Sequence, residues 1–458
     1  MKHTNVIFVM VDDMGYGDFG KFSEGNAITP TLDWMVDEGV CLTQCYAAAP
    51  VCTPSRAAFL TGRYNHRTGA IDMRELRGLS NLHIGETTIG DVFKENGYVT
   101  GLMGKWHNGT IGKNYHPNKR GFDEFVGFRG ASCNYYDYKL HYNETTRESD
   151  GRYLTDVITD ESINFITRHK DKPFFLNIAY NAPHSPHEAP AEDVEIFASR
   201  GKYNTLVSTL YGMILNMDRN LARVFAALKD LNIDENTIVF FTSDNGPELG
   251  GQGEKSHARY NCGLNGCKGQ VFDGGIRVPG VVRWPGKIKP RMDENCFVHG
   301  TDWFPTMLAA AGIDVPERLK LDGQNILPQL LGEAEPTHAK RFWQWNRYAP
   351  EVTCNAAMRD GKWKLVRPPI EEAMMTDRAE WQQDRLVERD PEAFTENANP
   401  PFPPRTVPPP GPAKLFDLEA DPGETNDVAT QHPKRAAQML RELEEWFDDV
   451  EFERQALC

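Results

Sequence analysis

The sequence predicts an α/β protein: a large mixed, mostly parallel β-sheet flanked by helices, followed by a smaller C-terminal antiparallel α+β module. Short apolar runs alternate with segments of helical periodicity over much of the chain. Several runs end directly in acids or histidines, as expected where parallel strands present binding residues at the carboxyl edge of a sheet. After about residue 331 the pattern changes to short strand-like segments joined by turn signals.

The N-terminal elements follow from hydrophobic periodicity. Continuous apolar runs bounded by polar turns are typical of buried strands, whereas apolar positions three and four apart indicate a helix with one buried face. Strands are predicted at 5–11, 99–103, 174–180 and 237–242, and helices at 155–169 and 205–228. Because a single hydrophobic core stops growing near roughly 250–300 residues, we assign residues 1–331 to one large domain.

Residues 332–458 are predicted to form the smaller module. Strands are expected at 341–348, 355–366 and 414–418, and the turn signal Asp360-Gly361 interrupts the second of them. The segment 432–454 has the apolar spacing of an amphipathic helix. Between these elements, 368–412 contains a proline-rich stretch, for which we expect a long irregular excursion.

Charge and cysteine usage exclude several classes of protein. The net charge of −15 argues against nucleic acid as a partner, because phosphate binding needs a basic surface. An anionic substrate would therefore need a local cluster of cations. The nine cysteines are odd in number and scattered, which does not indicate a disulfide framework. Cys262 and Cys267 have the wrong spacing for a zinc knuckle and lack a second pair.

The hydropathy of the chain bears on its location. No apolar run approaches the roughly 20 residues that cross a bilayer, so we expect no membrane association. The N-terminal residues lack the hydrophobic region of a signal peptide. We therefore expect a cytoplasmic protein, or a periplasmic or secreted one if a leader has been removed.

Two pairs of oxygen-bearing side chains follow predicted strands. Asp12 and Asp13 come directly after the first strand, and Asp244 and Asn245 follow the strand at 237–242. Either pair alone could be a helix cap or a turn. Because the carboxyl ends of parallel strands meet at one sheet edge, the two pairs together predict a hard-cation site, for Ca²⁺ or Mg²⁺ rather than zinc.

The most specific motif is a cysteine followed by x-Pro-x-Arg and then by Leu-Thr-Gly-Arg. In this chain it reads Cys52-Thr53-Pro54-Ser55-Arg56, with Leu60-Thr61-Gly62-Arg63 after it. A buried structural cysteine beside a helix-starting proline would have the same local sequence, so this interpretation stays open for the motif taken alone. The motif resembles the signature of the type I sulfatases, in which the cysteine is oxidised to formylglycine. Arg56 would lie at a helix start, where guanidinium and backbone N–H groups can jointly hold an anion.

Further cationic residues lie in short loops bounded by glycine or proline. Lys105 and His107 occur in Gly-Lys-Trp-His, His184 in Ala-Pro-His, and Lys268 in Gly-Cys-Lys-Gly. A single His or Lys in a loop is usually solvated, but several at strand ends together indicate a site. Each segment resembles an active-site segment of the type I sulfatases. Asn108 departs from the family pattern, where many members have an apolar residue, and is a candidate for altering the pocket.

The resemblance covers residues 5–302 and resumes at 415–418 and 421–424. It implies the alkaline phosphatase-like fold and the hydrolysis of a sulfate ester. It also implies formylglycine at position 52, one divalent metal, and a formylglycine-generating enzyme as the partner in maturation. The implied metal ligands are the modified Cys52, Asp12, Asp13, Asp244 and Asn245.

The resemblance further implies a role for each remaining residue. Negative charge on the sulfate would be neutralised by the metal and by Arg56, Lys105 and Lys268. Asp244 would act as the base for the attacking hydroxyl of the formylglycine hydrate. His184, alone or together with Lys268, would protonate the leaving alcohol. His107 would accept a proton when sulfate is eliminated and the aldehyde is restored.

Two other functions stay open. Phosphate and phosphonate ester hydrolases share this fold, but they often carry Ser or Thr as the nucleophile and bind two metals, so Cys52 favours sulfate. A catalytically inactive carbohydrate-binding relative would have lost a metal ligand or Arg56, and all of these are present.

The expected substrate is a sulfated sugar or another small sulfate ester, chiefly because carbohydrate sulfatases are numerous in the resembled family. Arg277, Trp345 and Arg347 are the candidate substrate-binding residues. Aromatic faces stack on sugars, and Arg pairs with sulfate or carboxylate. Core packing of the strand at 341–348 would explain Trp345 equally well.

Overall fold

The computed structural model describes residues 3–249, 259–336 and 339–457. A ten-stranded sheet forms its centre. Its strands are β1 (Asn5–Val11), β2 (Val40–Tyr46), β3 (Val99–Lys105), β4 (Glu124–Phe128), β5 (Lys139–Tyr142), β6 (Thr145–Glu148), β7 (Phe174–Ala179), β8 (Thr237–Ser243), β9 (Gly280–Arg283) and β10 (Arg291–His299). They are arranged in the order β10-β2-β9-β8-β1-β7-β3-β4-β5-β6.

The middle of the sheet is parallel. β8, β1, β7 and β3 are parallel neighbours, whereas β9 runs antiparallel between β2 and β8. Every residue of β1, β7 and β8 is buried. Strands covered on both faces read as continuous apolar runs, which is the pattern that predicted them. The predicted mixed, mostly parallel sheet is therefore confirmed.

Helices cover both faces of this sheet. They are α1 (Pro30–Asp37), α2 (Cys52–Thr61), α3 (Ile89–Glu95), α4 (Leu154–His169), α5 (Ala191–Ala198), α6 (Thr205–Asp230), α7 (Asp273–Ile276), α8 (Trp303–Ala311) and α9 (Leu327–Leu331). One core joins α4 and α6 to alternate residues of β1 such as Ile7 and Val9. The other joins α2, α3 and α8 to Val6 and Phe8 on the opposite face. The alternation along β1 therefore places helices on both sides.

The C-terminal segment contains a second, antiparallel sheet. Its strands are β11 (Arg341–Gln344), β12 (Ala356–Asp360), β13 (Trp363–Arg367) and β14 (Lys414–Asp417), in that order. A long helix, α12 (Pro433–Gln455), packs Met439, Leu443 and Val450 against this sheet. The smaller α+β module is confirmed, although β11 ends before Trp345. The boundary at residue 331 stays a prediction.

The expectation of an irregular excursion at 368–412 was wrong for its first half. This segment contains α10 (Glu371–Met374) and the twelve-residue helix α11 (Arg378–Arg389). Asp377 caps α11 by accepting hydrogen bonds from two backbone N–H groups. The sequence did not indicate this helix, because prolines lie nearby and only a narrow face of the helix is buried.

Membrane crossing can be assessed for the same described ranges. Within them, no helix combines the length and the apolar composition needed to pass through a bilayer.

Candidate active site

The ends of the central parallel strands bring the predicted residues together. Asp12 and Asp13 follow β1, Asp244 and Asn245 follow β8, and Lys105 is the last residue of β3. Because β8, β1, β7 and β3 are adjacent and parallel, their carboxyl ends meet at one edge. Cys52 reaches the same edge from the first turn of α2, and Arg56 reaches it from the next turn.

Backbone constraints show how tightly this edge is built. Asp13 and His107 adopt φ angles of 65° and 52°, a region that residues with a side chain rarely occupy. Such conformations concentrate at functional sites, where surrounding structure holds them in place. Gly104, just before Lys105, has φ 116°, and a Cβ there would lie 1.9 Å from the Ala179 carbonyl oxygen of β7. The Gly-Lys-Trp-His motif therefore requires its glycine.

Three ion pairs form the centre of the site, and the pair of Lys268 is the one that is only partly buried. Arg56 donates from Nε to Asp244 Oδ2 at 2.8 Å. Lys105 Nζ donates to Asp12 Oδ2 at 2.6 Å, and Lys268 Nζ donates to Asp13 Oδ2 at 2.7 Å. The three carboxylates and three cations balance one another. A divalent cation added to this cluster would leave a net positive charge, which suits an anionic substrate.

The pKa values agree with an ionised cluster. Burial raises the pKa of Asp244 to about 6, and the nearby Asp12 carboxylate adds to the rise. Burial alone would also raise the pKa of Asp13, but Lys268 and His184 hold it well below its usual value. Burial alone would lower the pKa of Lys105, but the Asp12 carboxylate outweighs it and raises that pKa.

Cys52 lies beside this cluster at the start of α2. Its side chain is buried, and its Sγ lies 3.5 Å from Asp12 Oδ1. Burial raises the pKa of the thiol far above its usual value, although Lys105 and Lys268 oppose the rise. The thiolate is the nucleophilic form of cysteine. An unmodified Cys52 would therefore stay protonated and react poorly at neutral pH.

The donors at this edge fit a hard metal ion. Asn245 donates from Nδ2 to Asp13 Oδ1 at 2.7 Å, and its own Oδ1 is buried without a hydrogen-bond partner. One donor atom from each of Asp12, Asp13, Cys52 and His184 lies within 4.8 Å of the others. Carboxylate and amide oxygens are ligands of Ca²⁺ and Mg²⁺. Asn245 Oδ1, Asp12, Asp13 and Asp244 can supply such oxygens.

Two histidines flank the cluster. The Nδ1 of His184 lies 2.6 Å from the Ser185 carbonyl oxygen, and its Nε2 lies 3.8 Å from Asp13 Oδ2. His107 is fully buried, with Nε2 3.1 Å from Glu75 Oε1. Burial, followed by nearby lysine charges, lowers the pKa of His184 to about 3 and that of His107 well below its usual value. Both imidazoles are neutral in the free protein.

A cavity of about 690 Å³ opens beside the cluster. His184 and Lys268 lie on its wall, and so do the predicted substrate-binding residues Trp345 and Arg347. The cavity has the size of sites that hold one or two sugar rings or a drug-sized ligand.

Two residues that the sequence linked to substrate binding or pocket shape, Arg277 and Asn108, do not line this cavity. Arg277 lies in a separate cavity of about 540 Å³, where its guanidinium donates two hydrogen bonds to the Thr43 carbonyl oxygen and stacks on Tyr16. Asn108 is fully buried, and its Nδ2 donates to the Trp106 carbonyl oxygen. The structure thus separates Arg277 from the catalytic cluster, and Asn108 has no surface with which to alter the pocket.

Several residues in or near the site had no sequence signal. Glu75 accepts a hydrogen bond from Ser80 and faces His107, and Arg74 lies on the cavity wall. Helix α11 adds four more lining residues, namely Trp381, Asp384, Arg385 and Glu388. They lie in segments without a motif, so only tertiary packing brings them to the site.

Solved structures with a similar fold include a carbohydrate complex. The structure of Ps i-CgsB in complex with k-i-k-neocarrahexaose matches with a TM-score of 0.81 and 31% identity, covering 97% of this chain and 93% of that one. A phosphonate monoester hydrolase from Silicibacter pomeroyi matches with a TM-score of 0.64, and at 18% identity it shows a shared fold alone. These matches confirm the alkaline phosphatase-like fold.

Curated relatives are sulfatases from several organisms. The N-acetylgalactosamine-6-sulfatase of Canis lupus familiaris is 34% identical over 364 residues, which are 72% of this chain and 66% of that protein. The chain thus spans about two thirds of the length of this relative. Arylsulfatase J of Mus musculus is 30% identical, over 97% of this chain and 76% of that protein.

Family models cover most of the chain. The sulfatase model matches residues 4–313, which include the whole cluster of ion pairs. A second model, N-sulphoglucosamine sulphohydrolase, C-terminal, matches residues 267–391. With the buried cluster, the cysteine motif and these matches in agreement, the chain belongs to the sulfatase family of sulfuric ester hydrolases.

Proposed function

We propose that this protein hydrolyses a sulfate ester of a carbohydrate, using formylglycine formed from Cys52 and one divalent metal, Ca²⁺ or Mg²⁺. The observation that carries the proposal is the position of Cys52. It begins a buried helix, lies among three carboxylates and three cations, and is next to a cavity large enough for a sugar. An unmodified thiol would react poorly in this setting, because burial raises its pKa and favours the protonated form.

The cations of the cluster would bind and orient the sulfate. Arg56 is held rigidly by Asp244, and Lys105 is held by Asp12. Lys268 both pairs with Asp13 and lines the cavity, so it can contact a bound ester. Preorganised charges of this kind stabilise negative charge without having to reorganise during the reaction. The formylglycine would supply the attacking oxygen, and the metal would supply Lewis-acid activation.

The two histidines would handle the protons. His184 lines the cavity, so its Nε2 can face the leaving oxygen of the ester. It is neutral in the free protein, and the negative charge of bound sulfate would favour the protonated form that a general acid needs. His107 is buried and neutral, which suits a group that accepts a proton. Glu75 faces His107 Nε2 and would stabilise the imidazolium that results.

Maturation would require a formylglycine-generating enzyme. Cys52 is only 1% exposed in the folded chain. An enzyme that oxidises it needs access to the segment around it, so conversion would have to precede the packing of α2.

A desulfation screen tests the proposal. Protein whose position 52 has been checked by mass spectrometry is incubated with defined sulfated mono- and disaccharides, and released sulfate is measured. We expect conversion of sulfur to oxygen at Cys52 and sulfate release from at least one sugar. Matched phosphate monoesters serve as controls for the phosphate and phosphonate alternative. Faster release of phosphate, or full activity with an intact thiol, would contradict the proposal. If converted protein releases sulfate from none of the sugars, an inactive carbohydrate-binding relative would be favoured.

A further inference from the structure

The cavity wall outside the ion-pair cluster includes several charged residues. Helix α11 contributes Asp384, Arg385 and Glu388, and Arg74 lies beside them. This wall is where the part of a substrate beyond its reacting sulfate would lie.

Each lysine and arginine among the described lining residues is already paired with a carboxylate. Arg74 lies 2.9 Å from Asp384, and Arg385 lies 2.9 Å from Glu388. The remaining two pairs are Arg347 with Asp72 at 2.9 Å and Lys268 with Asp13 at 2.7 Å. Beyond the sulfate end, the wall therefore offers no excess of positive charge.

Negative charge is in excess on the same wall. Glu371 also lines the cavity, and no lysine or arginine among the described lining residues forms an ion pair with it. Burial raises the pKa of Asp384 to about 7, and repulsion from Glu75 and Glu388 contributes to the rise. The carboxylates at this wall already repel one another. Another anion placed beside them would meet the same repulsion.

The wall nevertheless has many hydrogen-bonding groups. Carboxylates accept hydrogen bonds and guanidinium groups donate them, so the ion pairs can serve both ends of a hydroxyl group. Arg74 Nε and Trp345 Nε1 are buried donors without a partner, on side chains that are 5% and 4% exposed. An uncharged hydroxyl-rich ligand can use these groups without adding net charge.

We infer that this wall is a subsite for a neutral, hydroxyl-bearing sugar ring, and that it selects against a second sulfate or a carboxylate beside the reacting sulfate. The inference rests on the proposed function and names its substrate class. Arg74 and Asp384 are the specificity-determining pair, because Asp384 cancels the charge through which Arg74 would otherwise attract an anion.

Matched substrates test the charge preference. The probes are N-acetylgalactosamine 4-sulfate, N-acetylgalactosamine 6-sulfate and the 4,6-disulfate. The kcat/KM for each is measured at low and high salt and at about pH 8, above the raised pKa of Asp384, so that this carboxylate is ionised. We expect the better monosulfate to exceed the disulfate by at least about tenfold at low salt, a ratio that salt reduces by screening. Equal or faster hydrolysis of the disulfate would overturn the inference.

A charge-neutralising variant tests the assignment of the pair. Asp384 Oδ1 accepts a hydrogen bond from the Leu76 N–H. Asp384→Asn keeps an acceptor for that N–H but removes the negative charge that neutralises Arg74. The disulfate-to-monosulfate ratio of kcat/KM should rise several-fold. The matched control is Asp390→Asn, just past the end of the same helix and outside the cavity lining, which should leave the ratio unchanged. An unchanged ratio in Asp384→Asn would remove this pair from the subsite.

Two further measurements keep the outcome decisive. If Asp384→Asn does not fold, Glu371→Gln at the exposed part of the wall should move the ratio in the same direction. If converted protein releases sulfate from none of these probes, the wider desulfation screen decides the proposed function, and binding of the same probes is measured by calorimetry. Tighter binding of the disulfate, or binding of none of the probes, would overturn the subsite whatever the screen shows.

Discussion

Cys52 is buried and lies beside the ion-pair cluster, at the position proposed to be catalytic. Its burial raises the pKa of the thiol, while Lys105 and Lys268 beside it act in the opposite direction. The site therefore holds paired charges of both signs next to a thiol that is not itself charged. This arrangement fits a residue whose chemistry comes from modification, because a hydrated aldehyde can react from a buried position without being a thiolate.

Replacing Cys52 tests this interpretation at the residue scale. Cys52→Ala should abolish sulfate release, because alanine cannot be converted. The thermal midpoint should change little, since the change removes one sulfur atom. Circular dichroism and a sulfate-release assay measure the two effects. Cys296→Ala, at a buried cysteine in β10, is the matched control and should stay active. Residual turnover in Cys52→Ala would exclude position 52 from the chemistry.

The proton-donor role of His184 can be separated from simple contact. Departure of a sugar alcohol needs a proton, whereas an activated aryl group needs much less help. His184→Ala should therefore lower turnover of a sugar sulfate by ~10²–10⁴-fold and turnover of an activated aryl sulfate far less. Each substrate serves as the control for the other. Equal losses on both would leave His184 as a contact to the sulfate and not its general acid.

At the scale of elements, the contact between β3 and β7 fixes the site. Gly104 lets the two strands approach closely enough to place Lys105 beside Asp12. Helix α2 meets the same edge with Cys52 in its first turn. The positions of the reacting groups thus depend on backbone packing as much as on the groups themselves.

Substituting Gly104 tests this dependence. Gly104→Ala would place a Cβ 1.9 Å from the Ala179 carbonyl oxygen, so we expect loss of several kcal/mol of unfolding free energy or failure to fold. Gly97→Ala is the matched control, since it also has a positive φ, 80°, but open space around its Cβ. It should cost only about 1 kcal/mol. Denaturant unfolding measures both. Similar losses at the two positions would show that the strand contact is not decisive.

At the scale of the whole molecule, the metal site joins distant parts of the chain. Asp13 and Asn245 are far apart in sequence, yet the Nδ2 of Asn245 donates to Asp13. The three carboxylates are neutralised by three cations of the chain itself, so the fold does not depend on metal for charge balance.

Metal binding should therefore stabilise a protein that already folds without it. Adding Ca²⁺ or Mg²⁺ at 100 times its dissociation constant should raise the unfolding free energy by about 2.7 kcal/mol, and a chelator should reverse this. Thermal unfolding with and without metal measures the shift. Asn245→Ala should weaken it, because the variant lacks the amide oxygen that has no partner in the chain. Stoichiometric zinc in the purified protein would contradict the expected oxygen ligation.

The sequence by itself determined the α/β class, the C-terminal module and the residues of the catalytic cluster. They could be predicted because strands that are buried on both faces have continuous apolar sequences. Residues that follow such strands also meet at one edge of the sheet, and this does not depend on the conformation of the loops. The roles of the individual cluster residues stay predictions.

The tertiary structure alone decided which other residues share the cavity. Arg277 lies in a motif but packs onto Thr43, whereas Asp384 lies in a segment expected to be irregular and reaches the cavity from α11. Long-range packing determines such placements, and they cannot be predicted from local hydrophobic periodicity. The sequence could therefore indicate the chemistry at the sulfate, while the surface that meets the rest of the substrate depends on how distant segments pack together.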